Sequence, residues 1–295
     1  MGTADIVPGV SGGTVALVLG IYRRLIEAIR LGSSALGRFL KLDVAGGVER
    51  LREIEWGFLL PLLAGIGIAV ATLSHLLESL LEERPVELAG LFLGLVAGST
   101  VIAWGLLQRR DARRAVLLVG TAVAFFLLLG LQGGTTEDAV EQLSSPALWA
   151  FFGAGSIAIC AMILPGVSGS FLLVTMGMYG AVLGAVTNRD LVSLGAFLVG
   201  AVVGLAVFSQ LLHWALEHHY DDVMAVLIGL MLGSVRVLWP WPAGVESTEL
   251  SAPTGPIVVP VALAVGGLVL VLVVDAVGRR LEQRTTADEA ADLQA

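Results

Sequence analysis

Lysine is nearly missing from this sequence: Lys41 stands alone among seventeen basic residues, and twenty-five acids leave a net charge of −8. A chain that acidic is not built to hold a polyanionic duplex, so no nucleic-acid partner is expected. Cysteine is as scarce. Cys160 alone cannot make an internal disulfide or, by itself, a thiolate metal site, and in its apolar run it reads as a packing residue. Charge of either sign is also scarce, at 14% of residues, which excludes an ordinary soluble domain. The sequence offers no clustered His, Asp and Arg set and no nucleotide-binding loop, so an enzyme, a metal and a cofactor are not expected. Polar breakers follow Met1 within a few residues, so no cleavable leader is evident, and insertion into a membrane would rest on the apolar spans.

Those spans are abundant. With 56% hydrophobic residues, several runs approach the roughly 20 residues that cross a bilayer. Apolar spans are expected at about 57–77, 88–107, 115–131, 191–216, 223–239 and 257–277. Between them one stretch occurs twice: Val7-Pro8-Gly9-Val10-Ser11-Gly12-Gly13-Thr14, and Leu164-Pro165-Gly166-Val167-Ser168-Gly169-Ser170. Proline, glycine and small hydroxyl residues break a helix and leave backbone N–H groups without partners. Unpaired backbone is costly in apolar surroundings unless it lines a cavity, and a break repeated in two halves points to a transporter's binding site.

The repeat runs beyond the motif. Gly20 matches Gly177, Tyr22 matches Tyr179, and further on Gly65/Gly200, Ser74/Ser209, Gly94/Gly229, Gly98/Gly233 and Trp104/Trp239 pair. The expected architecture is an all-α integral membrane protein of two repeats, each a broken, re-entrant helical hairpin plus three transmembrane helices. The first repeat covers 1–131 and the second 147–277, with an acidic tail at 278–295. The basic stretch from Arg23 to Arg52, the Arg109 to Arg114 loop and Arg279 to Arg284 fall on one side, which the positive-inside rule makes cytoplasmic together with the C-terminus. The loop Glu217 to Asp222 falls on the same side yet carries no Lys or Arg. Three spans separate the two re-entrant segments, so the halves are expected to be inverted in a multi-pass protein of the plasma membrane.

Glycines and hydroxyls that open a helix present N–H donors at its positive end, an arrangement suited to phosphate. The expected phosphate ligands are therefore Ser11, Gly12, Gly13 and Thr14 with Ser168, Gly169 and Ser170. Arg23 and Arg24 stand either as receivers of a head group on the inner side or as topology anchors, and Arg236 either as an outer phosphate contact or as a snorkelling side chain. Asp5 either exchanges a proton or caps a helix. His75, His213, Glu27 and Asp275 read as interfacial.

The run Asp5 to Thr14, Leu-Gly-Ile-Tyr at Leu19 to Tyr22, and the second Pro-Gly-Val-Ser-Gly-Ser with Met-Gly-Met-Tyr at Met176 to Tyr179 resemble the polyprenyl-phosphate transporter family. Similar proteins usually carry more apolar sequence before the first motif, whereas seven residues precede Pro8 here, implying a late start or a short first arm. The resemblance implies return of undecaprenyl phosphate, or an archaeal polyprenyl phosphate, from the outer to the inner leaflet for reuse of the carrier lipid. The expected partners are that lipid and the surrounding membrane lipids, with a homo-oligomer left open. A channel or exchanger for small anions, using the same paired breaks, is the competing expectation.

Overall fold

Every regular element among the described residues is helical in the computed structural model, which describes residues 1–2, 11–130, 146–244, 249–253, 255 and 257–292. The first half contains α1 (Gly12–Val18), α2 (Tyr22–Leu40), α3 (Val44–Glu53), α4 (Trp56–Glu83), α5 (Pro85–Leu106) and α6 (Ala112–Gly130). The second contains α7 (Leu148–Ile163), α8 (Gly169–Thr175), α9 (Tyr179–Thr187), α10 (Leu191–His218), α11 (Tyr220–Gly233) and α12 (Val258–Asp292). Of these, α4, α5, α6, α10 and α12 are long and apolar enough to cross a membrane. The chain is a multi-pass membrane protein.

Glycines decide which long helices pair. Helices in lipid gain little from hiding apolar surface and associate by close packing, so a missing side chain matters more than an added one. A Cβ on Gly90 or Gly94 would lie 2.4 Å from the carbonyl oxygen of Pro260 or 1.9 Å from that of Ala264, so α5 and α12 touch backbone to backbone. Both contact positions advance together, which makes the two helices parallel. Gly229 and Gly233 meet Leu118 and Ala122 in the same way, so α11 runs parallel to α6. Gly200 and Gly204 meet Phe152 and Ser156, and α10 runs parallel to α7. Since α7 and α10 point the same way, the chain between them, including α8 and α9, returns to the end at which α7 began.

The most enclosed helix is α11, whose Met224, Ala225, Leu227, Ile228 and Met231 are at most 1% exposed. It packs on α5, α6 and α10, while α1 seats Ala16 and Leu17 in the same core as Leu88, Phe92 and Val96 of α5. By contrast α4 lies at the periphery, with no buried residue in its apolar window. Its Gly65 faces open space although the matching Gly200 is tightly packed.

Two helices occupy what reads in the sequence simply as a basic stretch. α2 buries Tyr22, Ile26, Ala28, Leu31 and Ala35 on one face and carries Arg23, Arg24, Arg30 and Arg38 on the others, an amphipathic pattern. Asp43 caps α3 by accepting from Gly46 N–H at 2.9 Å, and the Phe39 ring covers Gly47. The span expected at 223–239 is corrected: α11 stops at Gly233 and a single 3₁₀ turn, Ser234–Arg236, follows. The Trp239-Pro240-Trp241-Pro242 run beyond that turn bars a return to helix over the rest of the expected span, because proline and the residue before it do not continue a helix.

The acid-rich link between α10 and α11 receives its cations from elsewhere. Arg113 and Arg114 at the start of α6 lie 2.8 and 2.9 Å from the Asp222 carboxylate, and Gln108 N–H donates to Asp221 at 2.8 Å. This link and the α5–α6 connection therefore sit at one end of the molecule.

Candidate functional site

The two copies of the repeated motif touch. Ser11 caps α1, its Oγ accepting from Gly13 N–H at 3.1 Å while donating to the carbonyl of Met162 at 3.0 Å. Thr14 Oγ1 accepts from Gly166 N–H at 3.0 Å, and Tyr22 donates its hydroxyl to the carbonyl of Ile163 at 3.3 Å. Two side chains of the first copy, and Tyr22 shortly after it, thus serve the backbone at the C-terminal end of α7 and the turn beyond it. That is where a helix leaves carbonyl and N–H groups without intrahelical partners.

Glycine is required at this junction for two separate reasons. A Cβ on Gly13 would lie 2.5 Å from the Ile163 carbonyl oxygen, so only a bare backbone fits there. Gly166 has φ +80°, in the left-handed region, and a Cβ on it would also meet the Met231 backbone at 2.8 Å. The second motif is thereby wedged between the first motif and the enclosed helix α11.

The copies differ in what they leave accessible. Ser11 and Thr14 are buried, at 1% and 2% exposure, with their hydroxyls engaged inside the protein. Ser168 and Ser170 lie at the surface of the second copy and share a hydrogen bond at 2.8 Å. Gly12, Gly13 and Gly169 are all buried, the last against Met162 and the Ala158 carbonyl. The structure therefore brings the seven motif residues expected from the sequence into one neighbourhood, with only the second copy's hydroxyls facing outward. Asp5 lies outside the described residues.

Arg23 and Arg24 do not join that neighbourhood. They begin α2 directly after Tyr22 and line a separate cavity of about 410 Å³ with Glu27, Glu53, Glu55, His213 and Glu217. Arg24 is paired with Glu55, lies over the Phe58 ring at 4.3 Å, and Arg23 lies over Tyr220 at 5.7 Å. Arg30 donates to both oxygens of Glu27 and holds that carboxyl below the usual carboxylate range. Arg236 sits at the far end of α11, over the Phe126 ring at 5.0 Å and against Gly130 at the end of α6.

Sequence reasoning missed the Glu27–His213 contact, in which Nδ1 lies 2.9 Å from Oε2. The two residues belong to different halves and do not match in the repeat, so no spacing announces them. Among the described residues no group of His, Cys, Asp and Glu could hold a metal ion.

A family model described as undecaprenyl phosphate translocase-like matches residues 1–254. A Vibrio cholerae protein named polyprenyl-phosphate transporter is 40% identical over 245 residues, covering 82% of this chain and 75% of that protein. A Staphylococcus aureus protein of the same name is 31% identical over 250 residues, covering 81% of this chain and 83% of its own length. No solved structure matches the chain.

Proposed function

We propose a function from one established premise: the chain belongs to the undecaprenyl phosphate translocase-like family. On that premise the protein is a membrane transporter of polyprenyl phosphate, returning undecaprenyl phosphate or a related carrier from the outer to the inner leaflet. It performs no covalent chemistry. The observation that carries this reading is the Thr14–Gly166 contact, which joins the two glycine-rich breaks into one polar junction inside an apolar protein.

The substrate has a phosphate head that is expensive to desolvate and a tail at home in lipid, so a carrier needs a polar path for the head alone. The proposed path begins with Arg236, whose planar guanidinium matches phosphate oxygens and which lies at the end of the molecule opposite the Asp222 cluster. It continues over Ser168 and Ser170, the accessible face of the junction, with Gly169 beneath them, and takes in Ser11, Gly12, Gly13 and Thr14 when the two motifs part. Arg23 and Arg24 receive the head group in the cavity beside α2.

An inverted arrangement of the two repeats underlies this path. Its support is the pairing of α5 with α12 and of α6 with α11, each parallel and each joining opposite halves, the two pairs interchanging when α5 is matched to α11 and α12 to α6. A short connection makes α6 run opposite to α5, so α11 runs opposite to its repeat equivalent α5. Exchanging the Thr14–Gly166 bond for bonds to phosphate would open one side as the other closes.

A leaflet-specific assay in proteoliposomes tests the reading, with polyprenyl phosphate placed in one leaflet and its arrival in the other followed over time. Lipid-dependent movement blocked by Gly169→Val supports it; ion current without lipid movement would favour a small-anion channel instead.

A further inference from the structure

We propose that Glu27, His213 and Glu217 form a proton-binding latch that fastens α2, the helix following the first motif, to α10 of the second half. The inference rests on the proposed role of the two motifs for its consequence, though not for its geometry. His213 Nδ1 lies 2.9 Å from Glu27 Oε2, and its Nε2 lies 3.2 Å from Glu217 Oε1. A neutral imidazole has one N–H and one lone pair, so one of these contacts would set a lone pair against a carboxylate. Only the imidazolium donates to both.

The ring shares Glu27 with Arg30, and the other nearby cations are engaged elsewhere. Arg24 of α2 pairs with Glu55 of the α3–α4 link, and Arg50 of α3 pairs with Glu53 at 2.7 Å. Arg23 lies over Tyr220 of α11, and Arg30 orients Glu27 with its Nε at 3.0 Å. The guanidinium of Arg30 keeps Glu27 charged, which preserves one side of the latch over the range in which an imidazole titrates. The cavity of about 410 Å³ beside the ring gives the departing proton a route to water.

The latch sits where a small change would be transmitted. Glu27 lies in the same helix as Tyr22, whose hydroxyl binds the Ile163 carbonyl at the motif junction. Ser33, further along α2, approaches Ser209 of α10 with hydroxyls 3.4 Å apart, so the α2–α10 seam is antiparallel and continuous. Loss of the proton turns one attractive contact repulsive, loosens this seam and frees α2 together with the first motif.

The seam can be read without any transport. In the full chain carrying Cys160→Ala, the pair Ser33→Cys and Ser209→Cys is oxidised at about pH 6 and about pH 8, the range that brackets imidazole titration. The same pair carrying His213→Gln is the reference, because thiol reactivity rises with pH equally in both. The latch predicts a rate ratio, latch-intact over His213→Gln, of several-fold at the lower pH and near unity at the higher. An equal ratio at both pH values would overturn it. Glu27→Gln gives the same reference if His213→Gln does not yield monodisperse protein. A pH-dependent seam in a protein that moves no polyprenyl phosphate would sink the transport reading alone.

Discussion

Thr14 accepts, through its side-chain oxygen, a hydrogen bond from the backbone N–H of Gly166 at 3.0 Å, so the first broken helix supplies the partner that the second lacks. An N–H next to a proline-induced break has no helical carbonyl to bond, and burial without a partner costs about 1–3 kcal/mol. Thr14→Val keeps the shape and removes the acceptor. It should lower stability by about that amount and depress transport, whereas Thr14→Ser should retain both. Thermal unfolding in detergent, alongside the leaflet assay, checks this.

Gly65 and Gly200 are matched by the repeat but differ in surroundings, which gives a paired prediction. A Cβ at Gly200 would meet the Phe152 carbonyl oxygen at 2.0 Å, so Gly200→Ala should force α7 and α10 apart at a cost of about 1–3 kcal/mol. At Gly65 nothing lies within 4 Å, and Gly65→Ala should be neutral or stabilise α4 by about 0.5–1 kcal/mol. The unfolding midpoint should fall for Gly200→Ala and hold or rise for Gly65→Ala.

Much of this was legible in the sequence. The double motif, its glycines and the extent of the repeat could be read because proline and glycine act on their own backbone, and the small-residue spacings of α5 and α11 reflect close packing. The contacts between halves were not legible. Thr14–Gly166, Glu27–His213 and Arg114–Asp222 join residues brought together only by tertiary packing, and each involves residue types that are ordinary in isolation. The cationless Glu217 to Asp222 loop is the clearest instance, since its counter-charges come from α6. The amphipathic α2 was hidden for a different reason: its arginines suggest a charged connection unless Tyr22, Ile26, Ala28, Leu31 and Ala35 are seen to fall on one face of a helix.

Arg236 should behave as a fork rather than a point charge. Arg236→Lys preserves the charge but loses the planar, two-point donor geometry, and should weaken apparent affinity for polyprenyl phosphate about tenfold, the equivalent of one charge-assisted hydrogen bond of about 1.5 kcal/mol. Arg236→Gln should weaken it further. Transport titrations at equal protein levels measure both, and near wild-type values for the two variants would remove Arg236 from the path.

Glu27 should make stability sensitive to acid. Its folded-state pKa is lowered by the Arg30 hydrogen bonds, so its contribution is fully present above the unfolded carboxylate value of about 4.3 and is lost as pH falls through the folded value. Thermal unfolding from about pH 6 down to about pH 3 should therefore fall more steeply for the unaltered chain than for Glu27→Gln.

In the proposed function the joined glycine-rich breaks carry the phosphate of a lipid between leaflets. The most direct measurement places a defined polyprenyl phosphate in the outer leaflet of proteoliposomes and follows its appearance inside, for the unaltered chain, Gly12→Val and Gly169→Val. Transport by the first and its loss in both variants, each still monodisperse and folded, is the expected result. Unimpaired transport in both variants would contradict it and reduce the repeated motif to a packing corner.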